Sequence, residues 1–214
     1  MEGEQEHRRG PDGRDGPGRA AEEEAHGHHP AREGPAARQG APDLVRRDFP
    51  AAGINRKWYG DGTDIDTDEG RLYLDSVLDG CSRRVLGEHH DAELAYGALA
   101  VAVAVRGGAV PGVIMHTDQG SEYTAAAFRA ACQRLSICQS MGRPGSALDN
   151  AVIESWHSTV ESGLRRAEHF ATRAAARAGV AAWIEDYNHH RRHSSLGRVS
   201  PVDYERSLAG KDAA

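Results

Sequence analysis

Apolar positions divide the chain at about residue 44. Residues 2–43 contain no Val, Ile, Leu, Phe, Trp or Tyr, and Gly and Pro fill 13 of the first 43 positions. Such a segment cannot bury enough apolar surface to offset its ordering entropy, so disorder is predicted over 1–43. Its His26-Gly27-His28-His29 cluster reads as part of a solvated polar stretch.

Beyond 44 the pattern alternates between strand and helix periods. Residues 58–65 read as a strand, weakened by Gly60 and Gly62. In 71–79, Leu72, Leu74, Ser76 and Leu78 face one way and Tyr73, Asp75, Val77 and Asp79 the other. Residues 82–88 add a third strand after the tight connection Gly80-Cys81, which makes an antiparallel meander. Residues 91–105 are alanine-rich and long enough for a buried helix, with Asp91 near its N-cap and Gly107-Gly108 closing it. A short buried strand over 112–116 follows, then a helix over 125–135 capped by Thr124, then a strand within 136–141. Residues 142–150 read as a mobile loop. Helices are expected over about 150–166 and 172–187, before a polar, basic remainder. The order predicts an α/β fold with a mixed five-stranded sheet covered by helices on both faces. The expected division is a disordered segment 1–43, a core 44–190 and a basic tail 191–214.

The 214 residues suffice for one ordinary domain and an extension. No apolar run approaches the length of about 18 residues that a membrane span needs, and the N-terminus lacks a signal-peptide core. Cys81, Cys132 and Cys138 match neither a paired disulfide framework nor zinc-ligand spacing, so a cytoplasmic protein is expected. The formal net charge of −6 argues mildly against a nucleic-acid partner. Its distribution weakens that argument. The first 43 residues carry 10 acids and 6 arginines, whereas 165–206 carry 8 arginines and 5 acids.

Three carboxylates fall at the edges of predicted elements. Asp61 lies in the first strand, Asp118 ends the fourth, and Glu154 lies one turn into the helix that follows the loop. Taken singly, an Asp at a strand end is usually a turn former, and a Glu in a first helical turn usually answers the macrodipole. Together they differ, because the first strand of a meander is normally central and the fourth can pair beside it in parallel. Three converging carboxylates repel unless cations neutralise them, and an all-oxygen donor set favours Mg2+ or Mn2+. Two such ions support phosphoryl transfer. Asp64 and Asp66 are expected on the wrong face, Glu122 lies beyond a glycine turn, and Asp149 is expected as a helix cap.

Five stretches in order, "RDFPAAGINRKWYGD", "LYLDSVLDGCSRRVLG", "GVIMHTDQGSEYTAAAF", "SMGRPGSALDNAVIESW" and "YNHHRRHSSLGRVSPVDY", resemble the catalytic core of insertion-sequence transposases of the insertion-sequence-three group, relatives of retroviral integrases. The resemblance covers about residues 46–205, and 35 residues separate Asp118 from Glu154, as in that family. It implies a ribonuclease-H-like fold and Asp61, Asp118 and Glu154 as catalytic metal ligands for two Mg2+ or Mn2+ ions. It also implies 3′-end cleavage and strand transfer on element-end and target DNA, by a homo-oligomer on the DNA. Arg165, Arg191, Arg192 and Arg198 suit phosphate contacts, while His189, His190 and His193 are expected at the surface.

The chain departs from the family at three places. Gly62 follows the first aspartate where an apolar residue is usual, and Glu161 stands where a lysine is usual seven residues after the glutamate. Residues 1–43 do not resemble the helical DNA-binding region that normally precedes the core. A truncated or frame-damaged copy is the expectation they raise. Two readings stay open: a competent core that works with an upstream-frame DNA-binding polypeptide, and an inactive remnant that binds DNA weakly or interferes with intact transposase.

Overall fold

The sheet is built around β1, Lys57–Ile65. In the computed structural model, which describes residues 40–90 and 94–212, β1 pairs antiparallel with β2, Leu72–Asp79, in unbroken register from Trp58↔Asp79 to Ile65↔Leu72. Gly62 therefore does not interrupt the strand that carries Asp61. On β1's other side lies β4, Ile114–Thr117, in parallel. The outer strands are β3, Val85–His89, and β5, Cys138–Met141, giving the order β3-β2-β1-β4-β5. This is the mixed five-stranded sheet that the pattern predicts, with the first strand in the centre.

Strand alternation sends the apolar side chains into two layers. Tyr59, Ile65, Leu72, Leu74 and Leu78 pack on one face against Ile153 and Trp156 of α4 (Ala151–Val160) and Val180 and Ile184 of α5 (Arg173–His190). Trp58, Val77 and Met115 pack on the other against Leu99 of α1 (Leu94–Val105) and Phe128 of α3 (Ala126–Arg134). The backbone of α1 comes so close to β3 that a Cβ on Gly87 would lie 2.2 Å from the Ala98 carbonyl oxygen. Gly107 and Gly108 close α1 at φ +82 and +87. The Asp91 cap and most of the 1–43 segment lie outside the described residues.

Thr124 does not cap a single long helix. A short α2, Ser121–Thr124, ends at Ala125, whose ψ of 144° breaks the helix before α3 begins, and the Thr124 hydroxyl donates to the Ser121 carbonyl. After α4 the chain makes a π-helical turn, Glu161–Arg165, and α5 starts with Thr172 accepting from the Ala175 N–H at 3.1 Å.

The C-terminal stretch, read from composition as a tail, folds onto the core. A bridge between His193 and Val199 encloses a 3-10 turn, and α6, Pro201–Asp212, follows. Ser200 accepts from the Asp203 N–H and donates to the Asp203 carboxylate, with proline in the first helical position. Ser-Pro-Val-Asp is a recognisable helix start, and it was masked by the polar, basic composition around it. α6 is fastened by Glu205, which accepts from Ser82 at 2.7 Å, Arg84 at 2.8 Å and Arg106 at 2.5 and 2.9 Å. Arg106 also reaches Asp79, which is fully buried. Among the described residues no helix is long and apolar enough to cross a membrane.

Removing one partner from a nearly buried ion-pair network leaves the other charge uncompensated, at a cost of about 3–5 kcal/mol. Glu205→Ala is expected to lower the unfolding free energy obtained from urea melts by an amount in that range. A shift below ~1 kcal/mol would mean that α6 is only loosely held.

Candidate active site

The parallel register of β1 and β4 sets the site. Tyr59 lies opposite His116 in the last pair of the ladder, and Asp61 and Asp118 each follow two residues later. The two carboxylates therefore leave neighbouring strands at the same level. Alternation puts Asp61 on the face of Tyr59 and Ile65, under α4, where Glu154 lies one turn from the helix start. Asp61, Asp118 and Glu154 line one cavity of about 640 Å³ with Gly120, Asn150 and Arg143. The structure thus brings together all three carboxylates singled out from the sequence.

α4 is joined to the sheet by buried polar groups. The Asn150 side chain donates to the Gly60 carbonyl at 3.2 Å. His116, fully buried, bonds Ser140 Oγ through Nδ1 at 2.8 Å and the Asp149 carbonyl through Nε2 at 2.9 Å. Burial lowers its pKa, so the ring is neutral at pH 7. Asp149 is not a helix cap: its carboxylate accepts from Arg143 Nε at 2.8 Å and Arg47 Nε at 2.6 Å, which hold it well below the usual range. Residues 149 and 150 are thereby pinned, although the composition of 142–150 suggested mobility throughout.

The acids carry the electrostatic cost of their arrangement. Burial, followed by the neighbouring Asp118, pushes the Asp61 pKa up to about 7, with Glu154 and Glu122 adding to the rise. The Gly62 N–H, at 2.9 Å from Oδ1, opposes it. The Asp118 carboxylate is exposed and accepts from the Gly120 N–H at 2.8 Å. Such a site is short of positive charge, and its hard oxygen donors suit a divalent cation. Among the described residues no three His, Cys, Asp or Glu side chains already stand close enough around one point to hold an ion. The carboxylates share a cavity rather than a formed coordination sphere.

Two participants were not picked out from the sequence. His157, one turn beyond Glu154 on the same helix face, places Nδ1 3.4 Å from Asp61 Oδ2. Burial and then Arg165 push its pKa down to about 4, so it is neutral. Its i+3 spacing from Glu154 was the available signal. Asp75, opposite Gly62, is 1% exposed and accepts from the Tyr123 hydroxyl at 2.6 Å, while its other oxygen has no partner. With no side chain at Gly62, a Cβ placed there would lie 3.8 Å from a Glu122 oxygen and 4.0 Å from an Asp75 oxygen. Glu122 therefore belongs to the surroundings of the site. Asp64 pairs with Arg71 at 3.5 Å, away from the cavity.

The predicted phosphate-contacting arginines are dispersed. Arg165 is bonded to Glu161 at 2.7 Å. Arg191 sits 5.9 Å from the centre of the Tyr187 ring, and Arg192 and Arg198 are exposed. His189 and His190 pair with Glu185 and Asp186 at the surface, as expected. His193 does not: burial and then Arg191 and Arg83 push its pKa down to about 4, and its Nε2 is buried.

Comparison with known proteins identifies the family and the fold. Two profiles, both described as Integrase core domain, match residues 51–147 and 135–201. The Transposase for insertion sequence element IS904 of Lactococcus lactis subsp. lactis (strain IL1403) is 36% identical over 169 residues, which cover 77% of this chain and 67% of the relative. The chain belongs to the IS3-type, integrase-core transposases. Transposase InsF for insertion sequence IS3A of Escherichia coli (strain K12) is 41% identical over 168 residues, 76% of this chain. The transposase chain spans 58% of that relative's length. Its fold is that of retroviral integrase cores, which is ribonuclease-H-like. The catalytic core domain of BIV integrase superposes with a TM-score of 0.53 at 17% identity, over 75% of this chain and 99% of that one. The HTLV-2 integrase catalytic core domain in complex with magnesium superposes at 0.55 and 13%, over 72% and 99%.

Asp75 supplies a test of the electrostatics beneath the site. Burial raises its pKa to about 8 from an unfolded value of 3.8. A pKa raised on folding contributes stability that is full below about pH 4 and lost as pH rises through about 8, at up to about 1.4 kcal/mol per pH unit for one proton. Asp75→Asn keeps an acceptor for Tyr123 without a titrating proton. In urea melts between pH 4 and pH 8 the variant is expected to lose less stability than the wild type. Parallel curves would show that Asp75 titrates normally.

Proposed function

We propose that the chain is the catalytic core of a DNA transposase that cleaves element ends at their 3′ side and transfers them to target DNA in the cytoplasm. The observation that carries this reading is the convergence of Asp61, Asp118 and Glu154 on one cavity, with the Asp61 carboxyl pushed up to about 7. In the proposal these three hold two divalent cations, Mg2+ or Mn2+. When bound, such ions activate a water or 3′-hydroxyl and stabilise the departing oxygen.

The protein's own groups then have defined tasks. Asp61 is held at fixed height by the β1–β2 and β1–β4 ladders, and its Oδ1 is oriented by the Gly62 N–H, while His157 Nδ1 stands 3.4 Å from Oδ2. Asp118 is oriented by the Gly120 N–H in the turn that carries the chain off the sheet. Glu154 approaches from α4, whose start is fixed to β1 by Asn150. Arg165, Arg191, Arg192 and Arg198 are the proposed phosphate contacts, with Arg165 engaged by Glu161 until DNA competes for it. The proposal includes action as a homo-oligomer on DNA, with end recognition shared with an upstream-frame polypeptide.

Replacing a ligand should cost more than replacing an outer partner of a ligand, which is worth about 10–100-fold. Asp118→Asn is therefore expected to lower Mn2+-dependent nicking and strand transfer of element-end DNA at least 100-fold, with the melting temperature maintained. Equal activity in wild type and variant would remove Asp118 from the chemistry. DNA binding without metal-dependent cleavage by the wild type would mark the core as inactive.

A further inference from the structure

The flank of α4 next to the acidic cavity forms a second groove. Successive residues on a helix are rotated by about 100°. Glu154 lines the acidic cavity, while Ser155 and Thr159 line a groove of about 410 Å³ on the adjoining side. Its opposite wall comes from the β2–β3 turn and the segment after α5, through Arg83, Arg191, His193 and Ser194.

The chemistry of this groove is cationic and unpaired. Among the described residues neither Arg83 nor Arg191 is in an ion pair, and the Arg191 guanidinium lies 5.9 Å from the centre of the Tyr187 ring. Arg83 holds a left-handed backbone, φ +61, in a turn fixed by its N–H to the Asp79 carbonyl at 2.9 Å. Such a conformation is uncommon for a non-glycine residue. Both guanidinium groups act on the same two wall residues, His193 and Tyr187. Two like charges that face one groove without a carboxylate leave a demand for an anion.

Around the acidic cavity the nearby arginines are already paired with carboxylates. On the face that carries Glu154, Arg165 is closed off by Glu161 at 2.7 Å. At the cavity rim, Arg143 and Arg47 are both engaged by Asp149. The cations left available beside α4 lie on its other flank.

We infer that this groove seats the sugar–phosphate backbone of DNA alongside the reacting phosphate, with Arg83 and Arg191 as paired phosphate contacts. The inference rests on the DNA reading above and adds Arg83, on the β2–β3 turn, to the surface that reading requires. The hydroxyls of Ser155 and Ser194 supply further donors to phosphate oxygens. Backbone contacts of this kind position DNA without reading its sequence.

The test is binding of a labelled duplex to the full chain across a salt series. Each neutralised phosphate contributes about 0.9 to the slope of log affinity against log salt. Arg83→Gln/Arg191→Gln is expected to reduce the slope by about two. Arg83→Lys/Arg191→Lys should retain most of it. Arg129→Gln/Arg134→Gln, an equal charge change on α3, should leave it unchanged. An unchanged slope in the groove variant, or an equal loss in the α3 variant, overturns the inference while the DNA reading stands. Displacement of the duplex by inorganic phosphate at constant ionic strength, abolished in the groove variant, would assign the groove to a free anion and also overturn it. Absence of duplex binding by the wild type would instead remove the DNA reading itself.

Discussion

The parallel pairing of β1 and β4 is the constraint on which the candidate site depends. It brings Asp61 and Asp118 level on adjacent strands, two residues beyond the Tyr59↔His116 pair. One of these carboxyls is half-buried and the other exposed, and burial first, then the neighbouring Asp118, raises the Asp61 pKa to about 7. A sheet is suited to hold such a pair. Its ladder hydrogen bonds fix the height of each carboxyl, and the packed layers on both faces prevent the strands from moving apart.

The third carboxylate arrives on a helix and needs a separate device to reach the same point. Here that device is polar and buried. His116 links β4 to β5 and to the chain just before α4, and Asn150 links the start of α4 to β1. Both ring nitrogens of buried His116 are engaged, so turning the ring would leave unpaired groups in a low-dielectric interior. The same helix carries His157 against Asp61 and, on its other flank, Ser155 and Thr159 along the cationic groove. One helix therefore separates an acidic cavity from a basic groove.

The departures that seemed to weaken the core take on different meanings in three dimensions. Gly62 sits in an unbroken strand, and the space it leaves is occupied by the approach of Glu122 and Asp75 from the far face. Glu161 is paired with Arg165 across one helical turn. The C-terminal stretch carries a helix whose Glu205 gathers Arg84 and Arg106 from two other elements. It closes the fold rather than trailing from it.

The sequence alone determined the five strands and their order, the alternation of β2 between its two faces and the choice of three carboxylates that line one cavity. Each of these is local or periodic: alternation by two assigns a strand to its faces, and spacing along a motif assigns Asp61, Asp118 and Glu154. The signal for α6 was also local, in Ser-Pro-Val-Asp, but was outweighed by composition. What only the tertiary structure decided is every relation between side chains distant in sequence. Asp149 proved to be an anchor for Arg47 and Arg143 rather than a cap, and His193 proved to be half-buried beside Arg83 and Arg191. Asp75 is a buried carboxyl under the site, its pKa raised by burial to about 8. These outcomes depend on burial and on neighbours that include residues remote in sequence, Arg47 for Asp149, Arg83 for His193 and Tyr123 for Asp75, and desolvation and Coulomb forces act through space, with no period along the chain to announce them.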